Sequence, residues 1–332
     1  MKRIITLLSV ILLICSLMLG CQKVQNPLNP NNVEKKQVIN IAGLQGPTSM
    51  GMIKMIEEKP SLGANVDSNY EIAKTPDILV SKLISKEFDI ATVPTNLAVK
   101  LYNKGIDYKL AAMNTWGVLY IVGSEEGIKQ WKDLKGKTIN SVGKGTTPDI
   151  AIRYLLDKNG LNPDKDVTVD YTIAQVELAQ AVIAGKIKLA ILPEPFVTMV
   201  MTKNPKVKII FDIQKEWDKA SKTTGEFAQT CLLVKGDLAK NNPAVVNTFL
   251  EEYKKSTEWV NANKAEAGQL VEKNNIGIKA KVAELSIPRC NIRYEDAVTA
   301  KPKINSFLEI ILKYSPNDIG GKIPDEGFYY KK

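Results

Sequence analysis

From residue 38 onward, short apolar runs alternate with stretches in which apolar side chains recur every three or four positions. The runs at 38–42, 88–93 and 109–113 predict strands, and the periodic stretches at 49–58 and 96–103 predict helices between them. A second series follows, with strands expected at 138–142, 167–171, 189–192 and 208–211 and helices at 149–159 and 176–184. Alternation of this kind implies βαβ units, mainly parallel sheets and therefore an α/β class, here as two units in tandem. From 243 to 332 the pattern is mostly helical, with Val246, Phe249, Tyr253, Thr257 and Val260 at three- and four-residue spacings, and it is too strand-poor for a third α/β domain. Two more apolar runs, 118–122 and 228–234, stand between these blocks. If both cross between lobes, residues 38–118 plus 232–332 form one Rossmann-like lobe and 119–231 form the other. Two lobes joined by two crossing strands make a hinge, and such a cleft closes around a ligand.

The chain opens on Met1-Lys2-Arg3 followed by an apolar stretch to Leu19, shorter than the roughly 20 residues a spanning helix needs. With Gly20 before Cys21, residues 1–20 resemble a bacterial lipoprotein signal peptide and Cys21 its lipidation site, although Met18 and Leu19 depart from the usual residues there. Residues 21–37, rich in Pro, Asn and Gln without periodicity, predict a flexible tether. A diacylated Cys21 would hold the globular part at the outer face of the cell membrane.

At 332 residues, with 44 % apolar and 24 % charged side chains, two soluble domains are expected. Histidine is absent, which excludes an imidazole base, a Ser-His-Asp triad and a His-ligated metal. No cofactor or metal motif is present. The net charge of +9 is scattered and not interleaved with aromatics, so no nucleic-acid groove is predicted. Beyond Cys21 the body carries Cys231, inside an apolar run and expected to be a buried thiol, and Cys290, which could pair with it.

In an open α/β sheet a ligand lies beyond the carboxyl ends of the strands, where loops enter helices. Four such junctions stand out. Gly43-Leu44-Gln45-Gly46-Pro47-Thr48-Ser49 offers glycines for close backbone approach and Thr48 or Ser49 as a cap. Pro94-Thr95-Asn96 is a second cap. Gly143-Lys144-Gly145-Thr146-Thr147-Pro148-Asp149 is Gly-rich but lacks the closing Gly-Lys-Ser/Thr of a P-loop; its N–H groups and helix dipole suit an anion. Because Thr75-Pro76-Asp77 has the same cap without glycines, Thr147 alone marks only a helix start. In Pro193-Glu194-Pro195 the carboxylate either accepts from an amine-bearing ligand or favours the following helix N-terminus. Trp116, after the apolar run 109–113, either stacks on a planar ligand or fills the core. No nucleophile has a base beside it.

Ala184-Gly185-Lys186 followed by Leu192-Pro193-Glu194-Pro195 resembles the nitrate/sulfonate/taurine and thiamine-pyrimidine group of periplasmic solute-binding proteins. Leu83-Ile84-Ser85-Lys86-Glu87-Phe88-Asp89-Ile90-Ala91 and Asp133-Leu134-Lys135-Gly136-Lys137 are similar to the same group, and the resemblance covers 38–271. It implies a type II periplasmic-binding-protein fold and a monomeric receptor that hands a small solute to the permease and ATPase of an ABC importer. It also implies contacts from Gln45, Thr48, Ser49, Thr95, Asn96, Thr146, Thr147 and Glu194, to which Gly145 and Trp116 are added from their own settings. Glu194 and Trp116 tilt the expected solute toward a planar amine-bearing heterocycle such as a thiamine-pyrimidine precursor, and the Gly145-Thr146-Thr147 loop toward a sulfonate or similar oxyanion. Two alternatives remain: an enzyme on the same fold, a pyrimidine-precursor synthase or lyase, and an orphan surface lipoprotein sensor.

Overall fold

The computed structural model describes residues 36–221 and 227–332, so the expected signal peptide, Cys21 and nearly all of the tether lie outside the described residues. In chain order the strands are β1 (Gln37–Leu44), β2 (Val66–Ala73), β3 (Ile90–Pro94), β4 (Tyr108–Trp116), β5 (Leu119–Gly123), β6 (Thr138–Asn140), β7 (Thr168–Asp170), β8 (Leu189–Pro193), β9 (Lys208–Asp212), β10 (Ala228–Lys235) and β11 (Ile292–Asp296). They form a six-stranded sheet in the order β11-β4-β10-β3-β1-β2 and a five-stranded sheet in the order β7-β6-β8-β5-β9. β3 is buried along its whole length, as a strand covered by helices on both faces must be, whereas the edge strand β2 begins by alternating half-buried and exposed positions.

Both sheets are mixed, which corrects the expectation of mainly parallel pairing. β1 runs parallel to β2 and β3, and β6 parallel to β7 and β8, as the alternation predicts. β10 is antiparallel to β3 and β4, β11 to β4, and β5 to β8 and β9. The crossings are the cause. β4 ends at Trp116 and only Gly117 and Val118 separate it from β5, so β5 enters the second sheet at the end where β8 finishes. β10 returns the same way, and its register with β4 starts at Ala228. The strand therefore lies in the first sheet from Ala228 on, earlier than the 231/232 division expected from the sequence.

The helix Pro243–Ala262 buries Val246, Phe249, Tyr253, Thr257 and Val260, the positions its periodicity marks. The helix Ala297–Tyr314 does more than return to the first lobe. Its Phe307 meets Trp217 at 5.5 Å and Phe227 at 5.1 Å, and its Tyr314 stands edge-on to Tyr154 at 5.0 Å. Tyr154 and Trp217 belong to helices around the second sheet, so this aromatic cluster joins the two lobes by burial as well as by the chain. Cys231 and Cys290 are buried free thiols, and burial pushes both up.

Candidate functional site

The carboxyl ends of β3 and β4, the start of β10 and the end of β8 meet between the lobes. Directly after β3 the helix Thr95–Asn103 begins without a side-chain cap and with no acidic residue in its first turn. The first amides of a helix have no acceptor within it, and the helix dipole adds positive potential there. Thr95 and Asn96 are both fully buried. Thr95 Oγ1 lies in hydrogen-bonding reach of the buried Cys231 thiol, a weak partner, and meets no oxygen or nitrogen partner.

Asn96 reaches across to the second lobe. Its Oδ1 accepts from Thr147 Oγ1 at 3.0 Å and its Nδ2 donates to the Gly145 carbonyl at 3.3 Å. Only this amide orientation serves both partners, because a carbonyl cannot donate. Gly145 sits at φ +74°, the left-handed region that favours glycine. Its N–H donates to Asp149 Oδ2 at 2.8 Å, and Asp149 is further held by Arg153 and Tyr171. Thr146 Oγ1 donates to the Gly143 carbonyl. The Gly-rich loop is thus a built turn whose helix start is already supplied with a carboxylate.

Glu194 follows β8 through a cis Glu194–Pro195 peptide and is fully buried. Its Oε2 accepts from Thr198 N–H at 3.0 Å, and its Oε1 accepts from Thr198 Oγ1 at 3.0 Å and from Arg289 Nε. Arg289 also donates to Thr198 Oγ1. Glu194 therefore caps the helix Phe196–Lys203 and receives a guanidinium from the segment that leads to β11. Burial pushes its carboxyl above the ordinary range, against the pull of Arg289 and Thr198. Both oxygens are engaged and the residue has no exposed surface, so the carboxylate is not presented to a ligand amine.

Trp116 is fully buried, with Arg293 at 4.8 Å and Lys303 at 5.1 Å from its ring centroid. Cations over the ring take the place a stacked planar ligand would need. Its Nε1 has no hydrogen-bond partner. The first junction is braced internally: Thr48 Oγ1 donates to the Leu44 carbonyl at 3.0 Å and Ser49 Oγ to the same oxygen. Gln45 lies against Gly277, where a Cβ would fall 1.7 Å from its Nε2.

The structure thus brings Thr95, Asn96, Gly145 and Thr147 together, sets Thr146 in the adjoining turn, and gives Thr48, Ser49 and Glu194 intramolecular partners. The sequence did not single out Arg289 or Asp149. Asp149 stood in the quoted loop as a helix residue, whereas nothing local to Arg289 announces a partner 95 positions away. Clefts of about 370 Å³ beside Trp259 and about 380 Å³ beside Tyr330 contain none of the candidate residues. Among the described residues there is no cluster of three metal-ligating side chains and no helix long and apolar enough to cross a membrane.

Residues 54–277 match the family described as ABC transporter, phosphonate, periplasmic substrate-binding protein. A crystal structure of an ABC transporter protein from Parabacteroides distasonis is 30 % identical, with a TM-score of 0.75 over 89 % of this chain and 99 % of that one. The periplasmic aliphatic sulphonate binding protein SsuA from Escherichia coli shares the fold at 15 % identity, with a TM-score of 0.68 over 87 % of this chain and 92 % of that one. The periplasmic nitrate-binding protein NrtA from Synechocystis PCC 6803 does so at 14 % identity, with a TM-score of 0.63 over 84 % and 82 %. A curated relative, the binding protein YtlA of Bacillus subtilis (strain 168), is 27 % identical over 135 residues, 41 % of this chain; the match spans 38 % of that protein's length.

Proposed function

The chain belongs to the ABC-transporter, phosphonate, periplasmic substrate-binding protein family, and from that premise we propose that it captures a small oxyanion, a phosphonate or sulfonate, between its lobes for an ABC importer. One observation carries this reading. Of the helix starts gathered between the lobes, those at Thr147 and Phe196 already hold a carboxylate, Asp149 and Glu194, while the one at Thr95 has none and presents a buried hydroxyl with no oxygen or nitrogen partner, only the weakly bonding Cys231 thiol beside it. A thiol is a poor partner for a buried hydroxyl, so a stronger acceptor at that place would be favoured. An anion there would accept from the first-turn amides and Thr95 Oγ1, with Asn96 and Thr147 closing over it.

The heterocycle expected from the sequence loses its two supports, since Glu194 is bonded to Arg289 and Thr198 and the Trp116 ring lies under two cations. The relatives compared are ABC-transporter binding proteins, and the chain is a binding protein rather than an enzyme. We place the lobe division at 38–118 plus 228–332 and 119–227, and the protein outside the cytoplasm as a monomer tethered through a lipidated Cys21.

Isothermal titration tests the solute class. Methylphosphonate or methanesulfonate should give a saturable heat, and Thr95→Val should weaken it about 10- to 100-fold, the value of a hydrogen bond to a charged group. Binding of 4-amino-5-hydroxymethyl-2-methylpyrimidine with silence toward both oxyanions would overturn the reading.

A further inference from the structure

Closure of the lobes turns on the places where the chain passes between them, and one side chain touches both. The first passage is Gly117-Val118, between β4 and β5, and the return ends at Phe227, directly before β10. Strand pairing does not join the two beyond Trp116 and Ala228, where the β4–β10 register begins, and β5 has β8 and β9 as its neighbours. Gln214, on the helix Ile213–Ser221, bridges the gap. Its Oε1 accepts from the Phe227 N–H at 2.9 Å. The same side chain lies so flat on Gly117 that a Cβ there would fall 2.3 Å from Oε1 and 2.8 Å from Gln214 Cβ. Gly117 is not among the positive-φ glycines, so this close approach is what requires the residue. The amide is also aimed. Its Nε2 donates to Asp218 Oδ1 at 2.8 Å, one turn further along the helix, which leaves the oxygen for Phe227.

The bond joins groups that belong to different lobes. The helix of Gln214 packs against β5, β9 and the helix Thr147–Lys158, so Gln214 moves with the second lobe. Phe227 is fully buried and runs straight into β10, which is paired on both sides to β3 and β4, so its amide moves with the first. Trp217 of the second lobe and Phe307 of the first stand edge-on to the Phe227 ring at 4.9 and 5.1 Å and hold it in place. An N–H···O bond weakens steeply once its angle falls below about 120°. A large rotation of one lobe on the other therefore breaks this bond, whereas the arrangement with Asn96 on Thr147 keeps it. We propose that Gln214 is a positioning residue for solute capture, a brake at the hinge that limits how far the lobes open and so favours the closed form without touching the solute. Its effect on affinity rests on the reading that an oxyanion is captured between the lobes; its effect on opening does not.

Hydrogen exchange at the Phe227 amide and the radius of gyration of the solute-free protein read the brake, and titration with methylphosphonate reads its consequence. Gln214→Met keeps the side-chain length and drops the amide. It should speed exchange at Phe227 about tenfold, raise the radius, and weaken methylphosphonate about fivefold, the value of one hydrogen bond lost from the closed form. Gln214→Glu combined with Asp218→Asn exchanges donor and acceptor along the helix and keeps an oxygen for Phe227. That pair should return all three readouts to near wild type, which a general loss of packing would not allow. Gly117→Ala, which displaces Gln214 from the other passage, should reproduce Gln214→Met and carries the conclusion if that variant fails to fold. An unchanged radius, whatever the exchange rate, or an unchanged affinity while the wild type binds, would overturn the brake and leave the anion site standing. A raised radius with no methylphosphonate binding even by the wild type would overturn the anion site and leave the brake.

Discussion

Replacing Arg289 by methionine tests how the two lobes are held together. The substitution keeps much of the side-chain volume but leaves the Glu194 carboxylate, fully buried, with only Thr198 as partner. Breaking a buried ion pair by removing one partner costs about 3–5 kcal/mol. Arg289 is 38 % exposed, so water recovers part of this, and about 2–3 kcal/mol is expected at pH 7.5. The loss has a ceiling, because the stranded carboxylate can take a proton instead. Doing so costs about 1.4 kcal/mol for each pH unit above its pKa, and burial has already raised that pKa. The penalty should therefore shrink toward about 1 kcal/mol at pH 5, where protonation is cheap. Urea unfolding of the wild type, Arg289→Met, Glu194→Gln and the double variant at both pH values gives the coupling energy. A cost below about 0.5 kcal/mol with no coupling would refute the reasoning, because that is how an exposed surface pair behaves.

The other expectations are more local. Thr147→Val removes a hydrogen bond between the lobes and strands Asn96 Oδ1, so the closed form should lose about 1–3 kcal/mol and the radius of gyration in solution scattering should rise; an unchanged radius and stability would count against the contact. Gly145→Ala forces a side chain into φ +74°, where the nearest atom, Asp318 Oδ1, is 3.5 Å from the new Cβ; the loss should be about 1–2 kcal/mol of backbone strain, with Gly145→Asn milder in thermal unfolding. Because the folded Glu194 carboxyl titrates above its unfolded value of 4.5, its contribution is full below that value and is lost as pH rises through the folded pKa. The stability of wild type relative to Glu194→Gln should decline over that window, and a difference that grows with pH would mean that Arg289 outweighs burial.

Strand and helix alternation made both α/β units legible, because apolar runs and their periodicity are set by local burial. Strand direction was not, since antiparallel β5 and β10 follow from where the chain crosses, which no run of residues records. The site divides along the same line. Thr95, Asn96 and Thr147 stand out by their place at strand ends, but none of them caps its helix as the sequence suggests, and Asn96 and Thr147 bond each other at 3.0 Å instead. Glu194 was equally visible, but its partner Arg289 comes from a segment with no local signal, so its engagement appears only in the fold.

An oxyanion seated on the start of the Thr95 helix can be observed directly. Crystals grown with methylarsonate, an isostere of methylphosphonate, would locate the group through the anomalous scattering of arsenic. One anomalous peak is expected between the lobes, with arsonate oxygens within hydrogen-bond distance of Thr95 Oγ1 and the first-turn amides. A peak at the Gly143–Gly145 turn or on Arg293 and Lys303 instead, or no ordered arsenic under saturating conditions, would contradict it.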